Sequence, residues 1–352
     1  MKKRVLFRAD GGLTIGLGHA MRCRTLGVEL RKRGWTVGFM GTELPASFVT
    51  ADCFELIEDP YGPLRVGTLA PSHGKTLREI ATKWKPDLLI IDHYGFTVDD
   101  FATLCRGPWA LGAIDDLADR MLPVEVVINP NPLASDEVYR RQGIPVTLTG
   151  EVFTLIRPEI LSLRRDEGTP TDGPTVISLG GGNVEKITMK ILDAFSGHSN
   201  RLVQVVVSPD CPKHLLREWV AERPQGRSLH DEPQLLAGLL ASAGIAITGG
   251  GGTLWEVYAL GIASLAVVFA DNQRRTPDIV GSRKTGLCLD MREAFPTAAG
   301  NPEIEHVIST MFALAGNSVE RRVMIERQRR LIDGLGAVRA ADRLEILCRE
   351  RN

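Results

Sequence analysis

The sequence predicts a doubly wound α/β protein built as two similar domains, and three observations predict it. Short apolar runs alternate with amphipathic helical segments, the pattern of parallel strands covered on both faces. The alternation breaks at RRDEGTPTDGPT, residues 164–175, which is charged and rich in Gly, Pro and Thr, and then restarts. The chain has 352 residues; at ~150 residues per domain that is about two domains, each able to bury a core.

The elements follow in order. KRVLF is a short apolar strand, and Cys23, Leu26, Gly27 and Leu30 follow it at helical spacing. WTVGFMG, DLLIID, WALGAID and EVVINP read as further buried strands. After the break, TVISLGG is a strand that ends in glycines, and VEKITMKILDAF places Ile187, Ile191, Leu192 and Phe195 at helical spacing. RLVQVVVSP, IAITGG and SLAVVFAD are strands; KHLLREWVAE and LWEVYALG are helices. The tail, RRVMIERQRRLIDGLGAVRAADRLEILC, reads as helices broken by Gly334 and Gly336. On this reading residues 1–165 form the first domain and 172–318 the second, and helices within 319–352 pack back toward the first.

Composition narrows the function classes. Lys+Arg is 42 against Asp+Glu 43, a net charge of −1, so nothing favours nucleic acid or an anionic membrane surface. The six cysteines, at 23, 53, 105, 211, 288 and 348, form no C-x-x-C pair and no zinc-spaced cluster. They read as free thiols of a reducing compartment. Arg8 and Asp10 interrupt any signal-peptide apolar region, and the uncharged apolar run 257–270 is too short to span a bilayer. A cytoplasmic protein without membrane insertion, metal or cofactor is expected.

In this class of sheet ligands bind beyond the carboxyl ends of the strands, and the unusual residues lie there. The first stretch is DGGLTIGLGHAMR. Gly16 and Gly18 allow close backbone approach and a positive φ, and the helix they open presents unpaired N–H groups that favour anions. His19 sits at that helix start, and an imidazole exchanges protons near neutrality. A tight turn with a capping or core histidine is the competing reading. The second stretch, ISLGGGNVEK, again runs from a strand through Gly180, Gly181, Gly182 and Asn183 into a helix. It is a phosphate site or a plain connection.

The third stretch is AITGGGGTLWEVYALG. Gly250, Gly251, Gly252 and Thr253 open a helix, and Glu256 lies one turn inside it. A carboxylate there can accept from both hydroxyls of a ribose or face solvent. The fourth, FADNQRR, ends a strand in Asp271, Asn272 and Gln273. The carboxamides of Asn272 and Gln273 can serve phosphate or sugar oxygens, or Asp271 or Asn272 can simply cap a helix. Two acidic strand ends remain: IDHYGF, with Asp92, His93 and Tyr94, and IDDLADR, with Asp115 and Asp116. The latter pair reads first as a helix cap with a salt bridge to Arg120.

Taken together, RADGG…IGLGHAMRC, DHYG, IDDLADR, LIRPEI, LGGGN, GGGTLWE, ADNQ and IDGLGAVR resemble, in this order, the UDP-2,4-diacetamido-2,4,6-trideoxy-β-L-altropyranose hydrolases of pseudaminic-acid biosynthesis. These are relatives of the bacterial murein-precursor N-acetylglucosaminyltransferase. The resemblance implies the glycosyltransferase-B fold, two Rossmann-like domains facing across a cleft, and a small-molecule UDP-sugar as substrate. It implies that water attacks the anomeric carbon with His19 as base and that Tyr94 touches the sugar. Glu256 would hold the ribose, and Asn272, beside Gln273, would lie near the diphosphate and sugar. The chain departs from the family's G-G-S-D at Gly182 and Asn183, and Gly252 replaces a serine before Thr253. A glycosyltransferase of the same fold and a non-catalytic nucleotide-sugar-binding protein are the alternatives.

Overall fold

The computed structural model describes residues 2–11, 18–58, 73–195, 202–292 and 302–351. Seven strands form the first sheet: β1 (Arg4–Ala9), β2 (Thr36–Met40), β3 (Glu55–Ile57), β4 (Leu88–Asp92), β5 (Ala110–Ile114), β6 (Val126–Asn129) and β7 (Val146–Thr149). Their order is β3-β2-β1-β4-β5-β6-β7, and every pair is parallel. Six more form the second sheet: β8 (Thr175–Ser178), β9 (Val203–Val206), β10 (Arg227–His230), β11 (Ile245–Gly249), β12 (Ala263–Val268) and β13 (Leu287–Asp290). Their order is β10-β9-β8-β11-β12-β13, again parallel throughout.

Both orders reverse direction once, between β1 and β4 and between β8 and β11. At such a point the connections on either side leave to opposite faces and open a crevice at the carboxyl ends of the strands. The register brings Ala9, the last residue of β1, opposite Asp92, the last of β4.

Alternation along the strands builds a core on each face of the first sheet. Val5, Phe7 and Ala9 pack with Ala20, Cys23, Leu26 and Leu30 of the helix Gly18–Lys32. Leu6 packs on the other face with Leu77, Ala81, Phe101 and Leu104. The helix Gly336–Glu350 adds Ala340, Ala341, Leu344 and Cys348 to the first of these cores. Its first residue must be glycine, because a Cβ there would lie 2.1 Å from the Thr154 carbonyl oxygen.

The chain divides into two units, Met1–Arg157 with Gly334–Asn352, and Pro158–Asp333. These boundaries differ from the expected ones at 165, 172 and 319. The stretch expected as a linker is partly interior to the second unit, where Gly168 and Thr169 are buried. The helix Ser318–Leu331 also belongs there. Its buried Arg321 donates to the carbonyls of Thr169 (2.7 Å) and Gly244 (3.2 Å). Its buried Gln328 donates to those of Ile262 (2.9 Å) and Thr285 (2.8 Å). Two buried donors with carbonyl partners in the second unit fix this helix there. Among the described residues no helix is long and apolar enough to cross a membrane.

Candidate active site

The first unit gathers its polar side chains where its strand order reverses. His19 is the second residue of the helix that follows β1, and it is buried. Its Nδ1 lies 2.6 Å from Oδ1 of Asp92, at the end of β4. Asp92 is completely buried and also receives Arg22 through Nε (2.5 Å) and Nη2 (2.6 Å). Burial, the largest influence, pushes the Asp92 carboxyl up; the charge and hydrogen bonds of Arg22, then those of His19, outweigh it and hold it at about 2. An ionised carboxylate only accepts, so Nδ1 carries the proton at this contact, and in the neutral ring the lone pair is then on Nε2. Among the described residues Nε2 has no hydrogen-bond partner.

Two neighbouring loops complete the arrangement. Tyr94, two residues beyond Asp92, sets its ring edge-on to His19 with centroids 4.6 Å apart. Its hydroxyl donates to Asp116 Oδ1 at 2.9 Å. Asp116 follows β5 and pairs through Oδ2 with Arg22 Nη1 at 2.7 Å. Burial, then the Asp116 charge, push the Tyr94 phenol far up, so it stays protonated. Arg120 donates to the backbone carbonyls of His93 (3.2 Å), Tyr94 (2.8 Å) and Phe96 (3.2 Å), which ties the loop after β5 to the loop after β4.

Asp116 therefore differs from the sequence expectation. Among the described residues its partners are Arg22 and Tyr94, not a helix amide or Arg120, because Arg22 reaches it from the first helix. Asp115 keeps a structural part. It accepts from the Tyr139 hydroxyl (2.7 Å) and the Ala118 N–H (3.1 Å), and burial pushes its carboxyl up. His93 is also structural: its Nδ1 accepts from the Gly95 N–H at 2.8 Å, and its Nε2 faces Asp10 at 3.2 Å. Asp10, paired with Arg8 and accepting from the Thr42 N–H (2.9 Å), anchors the end of β1. Gly16 lies outside the described residues. Gly18 is helical and lacks the positive φ expected of it; a Cβ there would meet nothing within 4 Å.

The second unit brings its glycine loops together on adjacent strands. Gly180 to Asn183 follow β8, Gly250 to Thr253 follow β11, and Asp271 to Gln273 follow β12. Gly181, Gly182 and Asn183 are exposed, and Gly182 has a φ of 87°. The helices Glu185–Asp193 and Gly252–Leu260 both start without a side-chain cap, so their first amides are open to an anion.

The glycines after β11 divide by environment. Added Cβ atoms at Gly251 and Gly252 would meet open space. At Gly250 one would press on Thr276, whose hydroxyl donates to the Gly250 carbonyl at 2.8 Å. Glu256 is buried one turn into its helix, not on a solvated face. Asn272 is exposed, and neither it nor Asp271 caps the short helix Asp271–Gln273. Gln273 Oε1 accepts from the Phe269 N–H at 3.1 Å, which shapes the turn and leaves its amide hydrogens for a ligand.

The residues that the sequence did not bring together are Asp92, Arg22 and Asp116. Asp92 and His19 are 73 positions apart, and no local spacing joins them. The signal available was topological: a fourth strand that pairs with the first sets its carboxyl end beside the first loop.

These features define a class. The protein is a two-domain α/β chain of the glycosyltransferase-B fold. It superposes on Acinetobacter baumannii MurG with a TM-score of 0.65 at 13% identity, covering 97% of this chain and 99% of that one. It superposes on the calicheamicin glycosyltransferase CalG4 with a TM-score of 0.60 at 16% identity, covering 98% of each.

Sequence similarity points to more particular relatives. The chain is 24% identical over 348 residues to the spore coat polysaccharide biosynthesis protein SpsG of Bacillus subtilis strain 168, covering 96% of this chain and 97% of that protein. It is also 24% identical over 275 residues to the UDP-2,4-diacetamido-2,4,6-trideoxy-beta-L-altropyranose hydrolase of Campylobacter jejuni, covering 78% of this chain and 94% of that protein. The resemblance read from the motifs is thus met by similarity along most of the chain. No family model matches it.

Proposed function

We propose that this chain is a nucleotide-sugar hydrolase that cleaves the anomeric C–O bond of a UDP-linked diacetamido-trideoxyhexose with inversion. The observation that carries the reading is the 2.6 Å contact between His19 Nδ1 and Asp92. It leaves Nε2 as a base, and the same carboxylate stabilises the imidazolium that forms. One positioned base of this kind contributes about 10²–10⁴-fold.

The step balances without a second acid. Water gives a proton to His19 Nε2 as its oxygen bonds to the anomeric carbon. The bond from that carbon to the phosphate oxygen breaks, and its electron pair leaves with UDP. Most glycoside hydrolysis needs a second carboxyl to protonate an alkoxide. A terminal phosphate, with a second pKa near ~6, leaves as an anion once its charge is met. The open amides around Gly181, Gly182, Asn183, Gly250, Gly251, Gly252 and Thr253 meet it. Glu256 accepts from the ribose, Asn272 and Gln273 reach the diphosphate and sugar, and Gly18 and Tyr94 line the sugar side. Attack from the face opposite UDP inverts the anomeric carbon.

The relative that is itself a UDP-sugar hydrolase supports this reading. The fold neighbours that are glycosyltransferases favour a second one, in which His19 deprotonates an acceptor hydroxyl. One assay separates the two. UDP release from a UDP-diacetamido sugar in water alone, followed with the anomer by NMR, is expected for the hydrolase; strict dependence on an added acceptor overturns it. His19→Ala is expected to lower turnover by about 10²–10⁴-fold and leave UDP affinity intact.

A further inference from the structure

Five side chains of the first unit close on themselves. His19 donates to Asp92, Arg22 joins Asp92 to Asp116, Asp116 accepts from Tyr94, and the Tyr94 ring returns edge-on to His19. The circuit decides where the phenol proton lies. A tyrosine hydroxyl has one proton to donate and otherwise accepts. Asp116 Oδ2 is held by Arg22 at 2.7 Å, and Oδ1 stands 2.9 Å from the Tyr94 oxygen. A carboxylate in an ion pair only accepts, so the proton points at Asp116. Tyr94 is 37% exposed, and what it shows outward is a lone pair.

The geometry points to Asp116 as a positioning residue that makes Tyr94 a pure acceptor toward the substrate. The group that meets Tyr94 must bring its own hydrogen: the amide N–H of an acylamino substituent, or the second O–H of the attacking water. A phenol without this partner would turn to suit either polarity and would donate to an acyl carbonyl as readily. With the partner, a carbonyl oxygen faces another acceptor and is disfavoured. The inference rests on the reading of His19 and Tyr94 as the sugar side of the site.

Two substitutions at one position test it. In Asp116→Asn the guanidinium of Arg22, which has only donors, draws the new amide oxygen. The amide N–H₂ then donates into the Tyr94 oxygen and turns the phenol proton outward. In Asp116→Ala the phenol is merely free to rotate. The isosteric change is therefore expected to cost more, about tenfold in kcat/KM, and the truncation about threefold. In a Tyr94→Phe background the two become equal.

Donors in which each acylamino group is replaced in turn by hydrogen locate the partner. If it is an amide N–H, Asp116→Asn raises KM and the effect vanishes for the one donor that lacks the group. If it is the water, kcat falls for every donor alike. A purely structural Asp116 gives the opposite order, with Ala as costly as Asn or more so. That order, or a gap that persists in the Tyr94→Phe background, overturns the proposal. UDP affinity and thermal melts check folding, and Asp116→Ser replaces the alanine variant if that variant is unstable. Failure of the hydrolase reading shows separately, as no UDP release without acceptor; the comparison then moves to donor affinity in a His19→Asn chain.

Discussion

Asp92→Asn is the perturbation that bears most directly on the proposed chemistry. Asp92 is fully buried and accepts from His19 Nδ1 at 2.6 Å and from Arg22 at 2.5 and 2.6 Å. An asparagine fits the space but offers one acceptor oxygen in place of two. With that oxygen toward His19, the amide N–H₂ confronts Arg22 Nε. With it toward Arg22 Nε, the amide donates to His19 Nδ1, the ring proton moves to Nε2, and the base is gone. Either way the charge that stabilises the imidazolium is removed. A hydrogen bond to a charged group is worth about 1.5–3 kcal/mol. At 1.36 kcal/mol per decade that is roughly 10- to 150-fold in kcat. The assay is UDP release at saturating donor, with UDP affinity measured by calorimetry on the same sample. Turnover should fall by that factor while UDP affinity holds, and in a His19→Ala background the substitution should cost nothing further. A folded variant with kcat within about twofold of wild type, well under the smallest loss worked above, would refute the reasoning.

Four further outcomes follow from the same structure. The Asp92 carboxyl, held down at about 2, contributes stability that is complete above the ordinary carboxylate pKa and is lost as pH falls toward that value. Thermal melts from about pH 5 downward should therefore lose roughly 2 kcal/mol more in wild type than in Asp92→Asn. Gly251→Ala, whose Cβ would stand in open space, should leave the melt unchanged within ~0.5 kcal/mol but weaken UDP about tenfold if its amide meets the diphosphate. Gly249→Ala, whose Cβ would lie 2.5 Å from the Leu179 carbonyl oxygen, should instead destabilise by about 1–3 kcal/mol. Arg321→Met strips the carbonyls of Thr169 and Gly244 of a buried donor, and urea unfolding should show a loss of about 1–3 kcal/mol.

How much of the fold could be read in advance depended on where each strand sits. The nine strands with a neighbour on both sides were all legible as apolar runs: β1, β2, β4, β5 and β6 in the first sheet, and β8, β9, β11 and β12 in the second. The four that went unread, β3, β7, β10 and β13, are the four sheet edges. Arg227–His230 reads RSLH and is only partly buried throughout, and Glu55–Ile57 is three residues long and largely exposed. An edge strand lacks the two-sided burial that makes a parallel strand continuously apolar, so its composition resembles that of a loop. The domain boundary was misread for a related reason. Charge and Gly/Pro content at 164–175 suggest a linker, but Arg321 and Arg329, remote in sequence, donate to the carbonyls of Arg165, Asp166 and Thr169 and hold the stretch in the second unit.

The candidate site divides along the same line between what is local and what is topological. A glycine loop that opens a helix is a local pattern, and the loops at Gly180–Asn183 and Gly250–Thr253 were visible as such, as was His19. What gives His19 its chemistry is not local. Asp92, Arg22 and Asp116 come from the ends of two strands and from the far side of the first helical turn. They meet because β4 crosses over to lie beside β1 while β2 and β3 lie on β1's other flank. The same reversal recurs in the second sheet, where β11 lies beside β8 and sets one uncapped helix start next to another. One topological device thus serves two opposite electrostatic ends. In the first unit two carboxylates face one guanidinium, and protonation of His19 would bring the group to neutrality. In the second, uncapped helix starts favour an anion. The proposed reaction, in which a base becomes cationic as a leaving group becomes anionic, calls for both ends. The strand order 3-2-1-4, repeated in each half of the chain, builds one such end in each unit.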